Sequence, residues 1–136
     1  MMSENIRKEP IVPVMLRHGE RAAIATKIRD AMPLIASAVE RNMTWFGQRF
    51  PDAACRNGQY PAIDNQEWTT GFWTGQLGLA WEWTGEASYR TLAEQHVRSF
   101  GERIAKRDCT NHHDLGFLYS LSCIAGSKLT GDREAK

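Results

Sequence analysis

Long hydrophobic runs, an excess of one charge and paired cysteines are all missing from this chain of 136 residues. No apolar stretch approaches the roughly 20 residues that span a bilayer, so a membrane-embedded protein is not expected. The formal net charge is +1, so the strongly basic surface of a nucleic-acid-binding protein is not expected either. The three cysteines, Cys55, Cys109 and Cys123, are irregularly spaced, which predicts free thiols in a reducing cytoplasm.

Several enzyme signatures are absent as well. The chain has no glycine-rich phosphate loop, no closely spaced cysteine pair and no nucleophile elbow. Residues 1–18 lack the small-residue cleavage pattern of a signal peptide, and we interpret them as a tail or extension. The remaining residues, 19–136, are predicted to form the structured part of the chain.

Hydrophobic periodicity in this part predicts four helices. The first covers roughly Glu20–Phe50 and ends at Pro51, with an interruption near Pro33 where Asp30 would cap a new helix. A loop is predicted for Asp52–Gln66, where proline, glycine and asparagine are frequent and periodicity is poor.

The second predicted helix, Trp68–Trp83, is apolar almost all round, which is typical of a buried helix. It contains Gly71, Gly75 and Gly78. A glycine inside a helix costs about 1 kcal/mol relative to alanine. Three of them therefore predict the close approach of a backbone or a ligand.

The third predicted helix, Ala87–Arg107, is amphipathic. Its inward face is predicted to contain Leu92, His96, Val97 and Ile104. Its outward face is predicted to carry charged residues, among them Arg98 and Arg103, and the ion pairs Glu94–Arg98 and Glu102–Lys106. The fourth helix, about Asp114–Leu129, is again almost entirely apolar or small.

The two apolar helices end in the same way, at Thr84-Gly85-Glu86 and Thr130-Gly131-Asp132, which lie 46 residues apart. This spacing is typical of a helical-hairpin repeat in which buried helices form an inner layer and amphipathic helices an outer layer. An α/α toroid is the natural closed form. Six such hairpins need roughly 280 residues, so we expect the chain to hold about two hairpins of a partial toroid. Trp73, Leu77, Phe117 and Leu121 would then lack the neighbouring repeat.

Polar segments precede both apolar helices, at Asp64–Thr69 and Asn111–Asp114. Equivalent inner helices of a toroid point the same way, so their N-termini line one mouth of the barrel. Free backbone N–H groups and the helix dipole favour an anion there, such as the carboxylate of a uronic acid.

Asp114 is the leading candidate for chemistry, because its carboxylate can accept a proton, hold a water or stabilise positive charge on a sugar ring. Aspartate is also a preferred helix cap, and the residues alone leave that alternative open. His112, His113 and Asp114 could suggest a metal, but helical metal ligands are usually three or four residues apart, so no metal site is predicted.

Both segments resemble a known family. Asn65–Gly75, with the sequence NQEWTTGFWTG, resembles the first signature of the unsaturated glucuronyl hydrolases, glycoside hydrolase family 88. His112–Ser122, HHDLGFLYSLS, resembles the second. Arg49–Pro51 and the turn Thr84–Tyr89 also fit, and the resemblance covers roughly residues 31–131.

This resemblance implies an (α/α)6 barrel, of which residues 19–136 would be the N-terminal part. It implies an enzyme that releases the unsaturated uronic acid from oligosaccharides left by polysaccharide lyases. The C4=C5 vinyl ether is hydrated, and the resulting hemiketal rearranges and expels the rest of the sugar. The family needs no metal or organic cofactor. The implied partner is the unsaturated uronate oligosaccharide, not nucleic acid or a membrane.

Three site residues follow from the same resemblance. Asp114 matches the first catalytic aspartate and contacts the substrate, and His113 and Trp68 match substrate-binding positions. The second aspartate, the general acid and base, lies beyond this chain in the family, so the chain alone is expected to be inactive. Unsaturated rhamnogalacturonyl hydrolase and a non-catalytic helical module remain alternatives.

Overall fold

The computed structural model describes residues 18–133 and 135. The predicted tail, residues 1–18, lies outside this range except for His18, so the tail stays a prediction. The chain divides into two compact units, Met1–Ala31 and Met32–Lys136. Of the first unit only residues 18–31 are described, and all of them are helical. The hydrophobic core belongs to the second unit.

The elements are, in chain order, α1 His18–Phe46, β1 Phe50–Pro51, β2 Ala62–Ile63, α2 Thr70–Thr84, α3 Ala87–Lys106, α4 Leu115–Tyr119, a π-helical turn Ser120–Ile124 and α5 Ala125–Thr130. The last three follow one another without a break and correspond to the fourth predicted helix. Within residues 18–133 and 135, no helix combines the length and apolar character needed to cross a bilayer.

The first helix and the loop after it differ from the prediction. α1 runs through Pro33 without interruption, so Asp30 caps no new helix. α1 ends at Phe46 and not at Pro51, because Gly47 takes a left-handed φ of 57° and donates its N–H to the carbonyl of Met43. β1 then pairs antiparallel with β2, so the predicted loop is closed by a short two-stranded ladder.

The core forms where the last turns of α1, the strand β1 and the helices α2, α3 and α4 meet. Its members are Val39, Phe46, Phe50, Trp73, Leu77, Ala80, Tyr89, Leu92, Phe100 and Leu118. Trp73 and Leu77 are fully buried, which corrects the expectation that they lack neighbours. Phe117 and Leu121 are exposed, as expected. Leu79 is also exposed, so α2 is buried on one side only.

α3 shows which side chains its amphipathic pattern buries. Tyr89, Leu92, His96, Phe100 and Arg103 form a buried stripe with spacings of three or four residues. The prediction was therefore right for Leu92 and His96. It was wrong for Ile104, which is exposed, and for Arg103, which is buried.

The ion pairs of α3 also agree only in part. Lys106 Nζ lies 3.1 Å from Glu102 Oε2, as predicted. Glu94, however, pairs with Arg90, at 2.7 Å, and not with Arg98. Arg90 also lies over the ring of Trp81, 5.1 Å from its centroid, and this second contact favours the observed partner.

The two Thr-Gly turns are built from the same hydrogen bonds. Gly85 and Gly131 have φ values of 77° and 74°, the left-handed conformation that ends a helix. The hydroxyl of Thr84 donates to the carbonyl four residues earlier and accepts the N–H of Glu86. Thr130 makes the equivalent pair of bonds. The predicted repeat is therefore confirmed at these two turns.

Candidate active site

Two glycines let α2 and the fourth predicted helix pack at backbone distance. A Cβ atom at Gly71 would overlap the backbone of Leu118, and one at Gly75 would lie 2.9 Å from the carbonyl oxygen of Leu121. A Cβ at Gly78 would lie 3.3 Å from the side chain of Leu129. From Gly71 to Gly78 the contacts move toward the C-terminus of α2, and their partners move from Leu118 to Leu129 in the same direction. The two helices are therefore parallel and begin at the same end.

This parallel packing brings three aromatic side chains into a row on the surface. The ring of Trp68 makes an edge contact with Phe72, at a centroid distance of 6.0 Å, and Phe72 stacks on Phe117 at 6.1 Å. Their exposed fractions are 41%, 38% and 55%. This aromatic row, Trp68–Phe72–Phe117, links the predicted contact Trp68 to the helix that begins after Asp114.

Side-chain hydrogen bonds fix the segment before α2. The Thr70 hydroxyl is fully buried and contacts Asn65 Oδ1, at 2.7 Å, and the carbonyl of Glu67, at 2.9 Å. Asn65 Nδ2 donates to Ser99 Oγ on α3 at 3.2 Å. Trp68 is therefore presented by a segment whose flanking residues are held on both sides.

Asp114 occupies the residue before α4 but makes no side-chain capping hydrogen bond. Its own N–H donates to His112 Nδ1 at 3.2 Å. Its carboxylate is 21% exposed and lies 3.4 Å from His113 Nε2. The structure thus places Asp114 at the capping position while leaving its carboxylate beside an imidazole at the protein surface.

His113 is almost completely exposed, and its Nε2 is the ring atom that contacts the Asp114 carboxylate. The Nδ1 of His112 instead accepts the backbone N–H of Asp114, so the two adjacent imidazoles have different partners. Within the described residues, no three His, Cys, Asp or Glu side chains are grouped so that they could hold a metal ion.

A groove of about 430 Å³ opens beside Phe72. Its walls combine aromatic and polar side chains, among them Asn42, Asp52, Tyr60, Thr69, Trp73 and Gln76. Two buried polar atoms of these walls, Thr69 Oγ1 and Trp73 Nε1, have no hydrogen-bond partner. A sugar ring needs an aromatic surface for its apolar face and polar groups for its hydroxyls, and the walls of this groove offer both.

The sequence interpretation missed Phe72, Phe117 and Arg103. Arg103 is 3% exposed, and its guanidinium contacts the first site segment and the residues that lead into the second. Its spacing from Tyr89, Leu92, His96 and Phe100 was the available signal, because it continues their buried stripe. Phe72 and Phe117 each lie inside one of the two motifs, but only the packing of the helices shows that they stack.

No protein-family model matches the chain, but individual proteins and solved structures do. Over 110 residues the chain is 42% identical to the unsaturated chondroitin disaccharide hydrolase of Streptococcus pneumoniae, covering 81% of this chain and 28% of that protein. Its fold matches the crystal structure of unsaturated glucuronyl hydrolase from Streptococcus agalactiae with a TM-score of 0.78 and 39% identity, over 81% of this chain and 28% of that one.

A variant of the S. agalactiae enzyme complexed with dGlcA-GalNAc6S matches with a TM-score of 0.77 and 39% identity, over 81% of this chain and 29% of that one. The chain therefore spans little more than a quarter of the length of the proteins it matches. These likenesses confirm the predicted fold class, a part of an α/α toroid.

Proposed function

We propose, from the homology of this chain to a part of the unsaturated glucuronyl hydrolases, that it contributes to a glycoside hydrolase acting on lyase-generated oligosaccharides. The enzyme releases the unsaturated uronic acid. The observation that carries this proposal is the exposed aromatic row, which ends on the helix that follows Asp114.

Each predicted site residue has a role in this proposal. The ring of Trp68 covers the apolar face of the uronate sugar, and His113 donates a hydrogen bond to one of its oxygens. The N-termini of α2 and α4 begin side by side, and their N–H groups and dipoles attract the sugar carboxylate.

Asp114 provides the charge that the reaction needs. When the vinyl ether takes up a proton at C4, positive charge develops on C5 and the ring oxygen, and a nearby carboxylate stabilises it. Water then adds its oxygen to C5 and gives a proton to the group that protonated C4, and the hemiketal rearranges and releases the rest of the sugar. The proton donor is the second carboxylate, which we place outside this chain. No step requires a metal ion or an organic cofactor.

The groove beside Phe72 provides room for the remainder of the oligosaccharide. Tyr60 offers an exposed ring, and Asn42, Asp52 and Gln76 offer hydrogen-bonding groups to sugar hydroxyls. Such a site suits the unsaturated chondroitin disaccharide that gives the S. pneumoniae relative its name. We also propose a cytoplasmic location, which the three free cysteines support.

The test is a calorimetric titration of the chain with an unsaturated chondroitin disaccharide and with its saturated counterpart. We expect the unsaturated sugar to bind more tightly. Trp68→Ala should weaken binding by about tenfold or more, which corresponds to about 1.4 kcal/mol. Trp83→Ala is the matched control, because Trp83 is also exposed but lies at the opposite end of α2. No binding, or equal losses in both variants, would contradict the proposal.

Turnover is followed by the loss of double-bond absorbance. We expect none from the 136-residue chain, because only one member of the carboxylate pair is present. Clear turnover that disappears in Asp114→Asn would show that the site is complete within this chain and would refute that part of the proposal.

A further inference from the structure

Arg103 contacts the first polar segment of the site and the backbone that leads into the second. Its Nη1 donates to Asn65 Oδ1, at 3.2 Å, and to the carbonyl of Glu67, at 3.1 Å. Its Nη2 donates to the carbonyl of Gln66 at 3.0 Å. These acceptors belong to the segment that leads into Trp68.

The other bonds of Arg103 reach the segment after α3. Nε donates to the carbonyl of Asp108 at 3.2 Å, and Nη2 donates to the carbonyl of Cys109 at 2.9 Å. These residues lead into Asn111–Asp114. A guanidinium has five N–H bonds, and the five acceptors match them one for one.

The backbone between α3 and α4 is strained where Arg103 holds it. Arg107 and Cys109 have φ values of 53° and 46°, which side-chain-bearing residues rarely adopt. The Arg103 carbonyl accepts the N–H of Asp108, and its guanidinium binds the carbonyls of Asp108 and Cys109. Arg103 thus binds the strained backbone that precedes His113 and Asp114.

We infer that Arg103 is a positioning residue that couples the two site segments, so that Trp68 and the His113–Asp114 pair are held in one fixed arrangement. The inference rests on the proposed function only for the identity of the ligand. Lysine cannot replace it, because one ammonium group offers three donors from a single point, and the five acceptors lie on two segments.

Amide hydrogen exchange tests the coupling without any ligand. In Arg103→Ala, exchange in residues 65–70 and in residues 109–115 should accelerate together, by about tenfold or more, while the middle of α2 and α3 stays protected. Arg103→Lys should accelerate both segments as well. Arg98→Ala is the matched control, because Arg98 is exposed on the same helix and should change neither segment.

Chemical rescue separates the guanidinium from a general loss of packing. Ethylguanidinium replaces the atoms that Arg103→Ala removes, and it should restore protection of both segments. Ethylammonium at the same concentration has the charge without the planar fork and should restore neither. Acceleration of one segment alone, uniform acceleration across the core, or equal rescue by both cations would overturn the inference.

Sugar titrations of the same variants add the functional measurement. If the wild-type chain binds the unsaturated disaccharide, Arg103→Lys should weaken that binding at least about tenfold, and Arg98→Ala should leave it unchanged. Equal affinity in Arg103→Lys and wild type would contradict the positioning role. Failure of the wild type to bind would count against the proposed function, and the exchange data would then decide the role of Arg103.

Discussion

At the scale of single residues, the position of Asp114 in the chain does not determine which group its side chain contacts. Asp114 stands at the capping position of α4, yet its carboxylate contacts His113 and makes no capping bond. The capping role and the chemical role both predict an aspartate directly before α4. Only the direction of the side chain distinguishes them, and it speaks against the capping role.

His96 is a buried residue whose titration should be visible in the stability of the chain. It lies against Phe50, with ring centroids 4.2 Å apart, and its Nδ1 lies 3.1 Å from Thr74 Oγ1. Burial lowers the pKa of His96 from 6.5 to about 4, and a hydrogen bond with the backbone of Gln48 opposes this shift in part. The folded state therefore favours the neutral imidazole.

The sign of the pH effect follows from this difference. Between pH 6.5 and 4 the unfolded chain holds more protons on His96 than the folded chain, so the free energy of unfolding falls as pH falls. Through His96 alone, the free energy of unfolding is higher above pH 6.5 than below pH 4 by roughly 3 kcal/mol. The free energy of unfolding, measured with urea at several pH values between 6.5 and 4, should change less with pH in His96→Gln than in wild type. The same dependence on pH in His96→Gln and in wild type would refute the prediction.

At the scale of elements, the glycines of α2 decide how the inner helices meet. The sequence predicted a close approach without naming its partner. The partner is the backbone of Leu118 and Leu121, and the approach places the aromatic row. The π-helical turn at Ser120–Ile124 includes Leu121, one of these two contacts, and nothing in the hydrophobic pattern had predicted it. Such turns are often found near functional sites.

Two glycine substitutions should therefore have opposite effects on stability. Gly71→Ala should destabilise the chain by about 2 kcal/mol or more, because its methyl group would meet backbone that cannot move aside. Gly126→Ala should stabilise it by about 1 kcal/mol, because the nearest atom, on Val97, would lie at an ordinary distance of 3.7 Å. Thermal unfolding measures both. A similar effect of the two substitutions would mean that helix propensity, and not packing, governs these positions.

At the scale of the whole molecule, the second unit exposes many apolar side chains on its inner-layer helices. Apart from the aromatic row, they include Leu79, Leu121 and Ile124. A repeat unit normally buries such a face against the next repeat. The exposed face is therefore expected to associate in water.

We predict that the chain self-associates in a concentration-dependent way and unfolds with low cooperativity. Sedimentation velocity over a range of concentrations measures the association. Leu79→Gln should shift the distribution toward monomer, whereas Leu34→Gln, which removes an exposed leucine of α1, should not. A monomer with a sharp thermal transition that does not depend on concentration would contradict the prediction.

The sequence by itself determined the helical class, the Thr-Gly turns and the two segments that begin the inner helices. These features depend on local physics, since helix periodicity and left-handed glycine caps act over a few neighbouring residues. The end of α1 and the β1–β2 ladder were missed because they depend on pairing across the chain.

Only the tertiary structure decided which residues act together. The bonds of Arg103 to residues 65–67 and the stacking of Phe72 on Phe117 each join segments far apart in sequence. A charged residue on an amphipathic helix is exposed by default, because burying a charge is costly unless partners satisfy it. Here those partners include oxygens of Asn65, Gln66 and Glu67, which lie far from Arg103 in sequence, so no local pattern predicts them.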